Sequence, residues 1–125
     1  MTKTAITSAN APKALGPYSA GIKAGSLLFL SGQLGIDPAT GKLAEGVEAQ
    51  AAQALANIEA LLSEAGASFD NVVKTTVLLA HIDDFAAVNA VYARKFSEPY
   101  PARSAFAVAA IPAGALVEIE VTAAL

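Results

Sequence analysis

Leu27-Leu28-Phe29-Leu30 and Val77-Leu78-Leu79 place apolar side chains at successive positions rather than alternate ones. Neighbouring side chains of an extended strand point to opposite faces, so both faces of these segments require burial. The helical material available to cover them is small. Val47, Ala51, Leu55, Ile58, Leu61, Leu62 and Ala65 recur at helical spacing, with Glu48, Gln53, Asn57 and Glu64 largely off that stripe and Gly66 following as a C-terminal cap. A second helix is expected after Asp83 or Asp84, either of which can cap it, with an inner stripe of Phe85, Val88, Tyr92 and Phe96; Pro99 and Pro101 end it. Two helices cover one face of a sheet. The simplest cover for the other face is the equivalent sheet of a second copy.

The remaining segments supply the strands. A short strand is expected near 4–7, and runs at 20–24 and 27–33 joined by Gly25-Ser26 read as a hairpin. Asp37-Pro38-Ala39-Thr40-Gly41 is a turn. Residues 72–82 read as one long strand, and 103–109 and 116–123 close the chain through Pro112-Ala113-Gly114. The order β-β-β-α-β-α-β-β describes one α+β domain over 1–125, a mixed sheet with two helices packed on one face.

Composition sharpens the case for self-association. Hydrophobic residues make up 54% and charged residues 15%, against roughly 25% charged in ordinary globular chains. So few charges leave an apolar patch of the kind that marks an interface. A net charge of −3 lacks the basic footprint of a nucleic-acid binder. No run of ~20 apolar residues is present to span a membrane, and the start Met1-Thr2-Lys3-Thr4 does not read as a signal peptide. The chain has no cysteine, which excludes thiolate zinc sites and Cys nucleophiles and fits a cytoplasmic location.

Several polar groups stand where the pattern does not demand them. Arg103, within Pro101-Ala102-Arg103-Ser104, offers a planar fork that matches a carboxylate, or else a strand-end ion pair. In Val117-Glu118-Ile119-Glu120-Val121, alternation puts both glutamates on one face; they are either solvated or one lines a cleft and handles a water or proton. Ser31-Gly32-Gln33 is a bulge, or a place where a ligand approaches the backbone. Tyr18 and Asn89 read as a gap filler and a helix surface residue, or as cleft contacts. The single histidine, His81, has no partner for a metal site or triad and reads as structural. No metal or cofactor is expected.

In order, Gly16-Pro17-Tyr18-Ser19, Ser31-Gly32-Gln33, Val73-Lys74-Thr75-Thr76-Val77, Asp84-Phe85-Ala86-Ala87-Val88-Asn89, Tyr100-Pro101-Ala102-Arg103-Ser104 and Val117-Glu118-Ile119-Glu120 resemble the Rid (YjgF-type) family over essentially the whole chain. The resemblance implies a chorismate-mutase-like fold, a homotrimer with clefts between subunits, and hydrolysis of 2-imino acids such as 2-iminobutanoate and 2-iminopropanoate to 2-keto acids and ammonia. It implies Arg103 and Glu118 as catalytic residues, Arg103 clamping the substrate carboxylate and Glu118 holding or activating water. It further implies substrate contacts from Gly32, Ser31, Tyr18 (from the neighbouring subunit), Asn89 and Ala105, the last standing where many deaminating members carry cysteine. Glu120 is left structural. The alternatives are a trimer that binds a small carboxylate without turning it over, and a ribonuclease or translation inhibitor.

Overall fold

A computed structural model describes residues 2–125; Met1, the first residue of the expected 1–125 domain, lies outside them. The elements run β1 (Lys3–Ile6), β2 (Gly21–Ala24), β3 (Leu27–Leu30), β4 (Gln33–Leu34), α1 (Val47–Glu64), β5 (Val72–Leu79), α2 (Phe85–Tyr92), β6 (Ala102–Ala107) and β7 (Val117–Ala124). All seven strands join one sheet in the order β1-β2-β3-β7-β5-β6, with β4 also paired to β7. The sheet is mixed: β5 and β6 are parallel and the other pairs antiparallel. A parallel pair needs a crossover, and α2 supplies it.

Both helices pack on one face. Leu55, Ile58, Leu61 and Leu62 of α1 and Val88 and Val91 of α2 share a core with Leu28, Leu30, Val77, Leu79, Val117, Ile119 and Val121 of the sheet. Full burial of each Leu, Ile or Val side chain is worth roughly 1.5–3 kcal/mol. Among the described residues no helix covers the opposite face, and Leu27 (41% exposed), Phe29 (45%) and Phe106 (48%) stand on it. The doubly apolar run 27–30 is thus half covered within the chain.

α1 ends as its sequence dictates. Gly66 takes φ +75°, its N–H donates to the Ser63 carbonyl, and the Ala67 N–H donates to Leu62, which together form a Schellman cap. Asn57, expected off the stripe, is fully buried: its Nδ2 donates to the carbonyls of Leu34 (3.1 Å) and Ile36 (2.9 Å), and its Oδ1 accepts from Gln53 Nε2 (2.9 Å). Polar satisfaction, not hydrophobicity, puts it inside.

α2 departs further from expectation. Neither Asp83 nor Asp84 caps it through its side chain; a 3₁₀ turn, Ile82–Asp84, leads in, and the expected strand 72–82 stops at Leu79. Phe85, assigned to the inner stripe, is exposed. Beyond Tyr92 the backbone tightens through bonds from Arg94 to Val91 and from Lys95 to Tyr92. Phe96 then returns to the core, stacked on Tyr92 (4.3 Å between centroids) and edge-on to Phe69 (5.1 Å).

The expected strand 27–33 is broken into β3 and β4. Leu27 pairs with Ala124 and Gln33 with Ile119, so six steps along one strand face five along the other. One extra residue is accommodated at Ser31-Gly32, which makes this a β-bulge.

Asn57→Leu keeps the branched outline but leaves the Leu34 and Ile36 carbonyls without their donor. Each unpaired buried group costs ~1–3 kcal/mol, so with two of them unfolding free energy should fall by about 2–6 kcal/mol. Urea denaturation at fixed protein concentration measures it; a loss within experimental scatter would mean that the tether carries no stability.

Candidate active site

Two hollows divide the residues singled out above. The larger, about 590 Å³, is lined by Tyr18, Ser31, Gly32 and Glu118, with Lys13 and apolar walls that include Leu15, Leu34, Ile36 and Pro112. The second, about 490 Å³, is lined by Arg103, Asn89, Tyr92, Ala93, Tyr100 and Pro101.

Glu118 reaches the first hollow because β7 alternates. Val117, Ile119, Val121 and Ala123 are buried beneath the helices, and Glu118 and Glu120 point to the other face. The bulge then brings Gly32 against the carboxylate. A Cβ on Gly32 would overlap the Glu118 carboxylate group, its Cδ lying only 2.8 Å away. Glycine is required there for close approach rather than for an unusual φ. Ser31 is tied down on both sides: its Oγ donates to the Ser19 carbonyl (2.6 Å) and its N–H to that of Ala20 (2.9 Å). These bonds fix the segment carrying Tyr18 next to the bulge. Burial, reinforced by the negative charge of Glu120, pushes the Glu118 carboxyl above the ordinary carboxylate range. A carboxyl raised this way holds its proton more readily and is suited to proton transfer.

Arg103 sits on β6, the edge strand, and turns toward α2. Its Nη1 donates to Asn89 Oδ1 at 2.6 Å, and its guanidinium lies over the rings of Tyr92 (4.9 Å) and Phe85 (5.5 Å). Tyr92 is itself held by a 2.8 Å hydrogen bond between its hydroxyl and that of Thr75, the residue paired with Arg103 across the sheet. Burial pushes the Tyr92 phenol up, against smaller lowering effects of Thr75 and Arg103.

The structure therefore gathers Tyr18, Ser31, Gly32 and Glu118 into one cavity of one chain. Tyr18 lines the same cavity as its own chain's Glu118. Arg103 and Asn89 form a separate group on the helix-bearing side, and the two groups do not meet within the chain. Ala105 packs against the core two residues beyond Arg103 and lines neither hollow.

Sequence reasoning missed the tethers. Gln50 is buried, with Nε2 donating to the Ala44 carbonyl and Oε1 accepting from the Leu116 N–H (2.8 Å), two residues before Glu118. The backbone of Gly35 lies against the same residue so closely that a Cβ would sit 2.5 Å from the Gln50 carbonyl oxygen. The signal available was a Gln and an Asn seven residues apart on one helix, spacing that puts both on one face. Among the described residues, no group of three or more His, Cys, Asp or Glu could hold a metal ion. No helix among them is long and apolar enough to cross a membrane.

Comparison with known proteins covers nearly the whole chain. Residues 8–125 match the family model described as endoribonuclease L-PSP. A protein of Capra hircus named 2-iminobutanoate/2-iminopropanoate deaminase is 51% identical over 124 residues, 98% of this chain and 90% of the relative. The crystal structure of RidA from the Antarctic bacterium Psychrobacter sp. PAMC 21119 superimposes with a TM-score of 0.95 at 47% identity, covering 98% of this chain and 99% of that one. E. coli TdcF with bound serine superimposes with a TM-score of 0.93 at 38% identity, covering 98% of each chain.

The Glu118 carboxyl, followed by ¹³C NMR, is expected to titrate above the ordinary range, and Glu120→Gln should lower its midpoint by removing a like charge. The folded chain holds this proton more tightly than the unfolded one. Its contribution to stability is thus fully present below the unfolded pKa and lost as pH rises through the raised folded value. A midpoint that does not respond to Glu120→Gln would remove the charge coupling.

Proposed function

The chain belongs to the endoribonuclease L-PSP family, the Rid or YjgF-type proteins, and from that premise we propose that it is an enzyme acting on C–N bonds, a deaminase of reactive 2-imino acids. Water adds to the C=N carbon, the tetrahedral intermediate expels ammonia, and a 2-keto acid is left. The observation that carries this reading is Glu118, a half-buried carboxyl of raised pKa set against Gly32 in a mostly apolar cavity. In this role Glu118 holds the attacking water and takes its proton as the C–O bond forms. An iminium carbon is already electrophilic, so orientation and proton management suffice, and orientation alone supplies several kcal/mol. The relative named as a deaminase at 51% identity supports the same chemistry. A net charge of −3 works against a polyanionic substrate, so the family's descriptive label does not set the substrate here.

Arg103 is the carboxylate clamp in this proposal. It does not meet Glu118 within one chain, so the working site takes Arg103 from one subunit and Glu118, Gly32, Ser31 and Tyr18 from the next. A homotrimer provides such clefts, with the helix-free face of each sheet and its exposed Leu27, Phe29 and Phe106 turned toward the other copies. An isolated chain with those residues in water has reason to associate.

Light scattering coupled to gel filtration should give three times the chain mass at micromolar concentration; a monomer would sink the composite site. Glu118→Gln should slow hydrolysis of 2-iminobutanoate on the order of 10²-fold, with Glu120→Gln much milder. Arg103→Lys keeps the charge but loses the planar fork, so kcat/KM should drop at least about tenfold, or roughly 1.4 kcal/mol. Mixing Arg103→Ala chains with Glu118→Gln chains and reassembling them should restore activity, because some clefts then draw an intact residue from each. No recovery in verified mixed trimers would place both residues in separate sites.

A further inference from the structure

Among the described residues, Arg103 is held by uncharged groups: the Asn89 amide oxygen, the Phe85 ring and the Tyr92 ring. A carboxylate would orient the guanidinium as well, but it would also neutralise it and occupy the fork that an anion needs. An amide oxygen and two aromatic faces are attractive to a cation without carrying a net charge. The arrangement also accounts for Phe85, a large apolar side chain left exposed at the start of α2. The cradle is anchored rather than loose: Tyr92 is fixed by the Thr75 hydroxyl and stacked on Phe96, so the ring under Arg103 belongs to the core.

We propose that Asn89, Phe85 and Tyr92 are positioning residues for Arg103, a charge-neutral cradle that aims the guanidinium while keeping its positive charge for an incoming carboxylate. The proposal rests on Arg103 being the clamp of the imine-hydrolysing site. It assigns Asn89 a role through Arg103, since its side-chain oxygen is already engaged there. One spacing carries most of the cradle: positions 85, 89 and 92 are four and three residues apart and fall on one side of α2.

Asn89→Asp separates this reading from a merely structural one, because it keeps an acceptor of the same shape and adds a charge. With the assembled protein and 2-iminobutanoate generated in situ, Asn89→Asp is expected to raise KM about tenfold with kcat within about twofold and melting temperature unchanged. Asn89→Leu, which frees the guanidinium, should lower kcat/KM by about five- to tenfold, and Phe85→Leu by about threefold. In an Arg103→Ala background none of the three should cost more than about twofold further, since the group they position is gone. A wild-type KM for Asn89→Asp, or losses that multiply undiminished in the Arg103→Ala background, would overturn the cradle. The two levels fail differently. If Arg103→Ala keeps full activity, the clamp falls and the cradle with it; if Arg103→Ala is slow while Asn89→Asp and Phe85→Leu are fully active, the cradle falls alone.

Discussion

Strand β7 is hydrogen-bonded along both edges, to β3 and β4 on one side and to β5 on the other. Its residues Val117, Ile119, Val121 and Ala123 are sealed under the helices, and the residues between them face away. A slip of one position would carry Glu118 and Glu120 beneath α1 and turn the aliphatics out. Burying unpaired carboxylates costs several kcal/mol each, so the register is held by the hydrophobic effect and by charge desolvation together. The face on which Glu118 stands is therefore a consequence of the fold's most strongly specified pairing. The proposed catalytic carboxyl and the core share one periodicity.

What alternation does not fix is the depth and wall of the cavity, and here polar groups inside α1 take over. Asn57 holds the carbonyls just after the bulge, and Gln50 holds the backbone at Leu116 where β7 begins. Apolar packing tolerates small shifts, whereas a buried amide with directional bonds does not. The helix thus clamps both strands that meet at Glu118 and Gly32, and a site built on such supported strands keeps its geometry better than one on free loops.

The helices, the closing alternation of 117–121, the turn at 37–41 and the helix-free apolar face were legible in the sequence because each rests on local period or composition. Gly66 was legible because one backbone conformation demands it. The bulge was visible only as an ambiguity at Ser31-Gly32, since an extra residue is defined by the partner strand, far along the chain in β7. Asn57 was misplaced because hydropathy cannot anticipate two carbonyls arriving from β4 and the residues just after it. Phe85 was assigned inward by spacing, but a guanidinium gives it a partner at the surface. The separation of Arg103 from Glu118 was invisible for the same reason: both lie on strands, and only the sheet order and the facing of α2 tell them apart.

The bulge has a hereditary side. Leu28 and Leu30 point inward, and so does Gln33; with one residue of the Ser31-Gly32 pair removed, that in–out phase would run unbroken from β3 into β4 and match β7 step for step. The extra residue is thus an insertion relative to an unbroken pairing with β7. Deleting the Gly32 codon would give one continuous strand in step with β7 while taking away the glycine against which Glu118 rests. The strand pairing and the close approach of Gly32 to Glu118 are thus separable in one small genetic step.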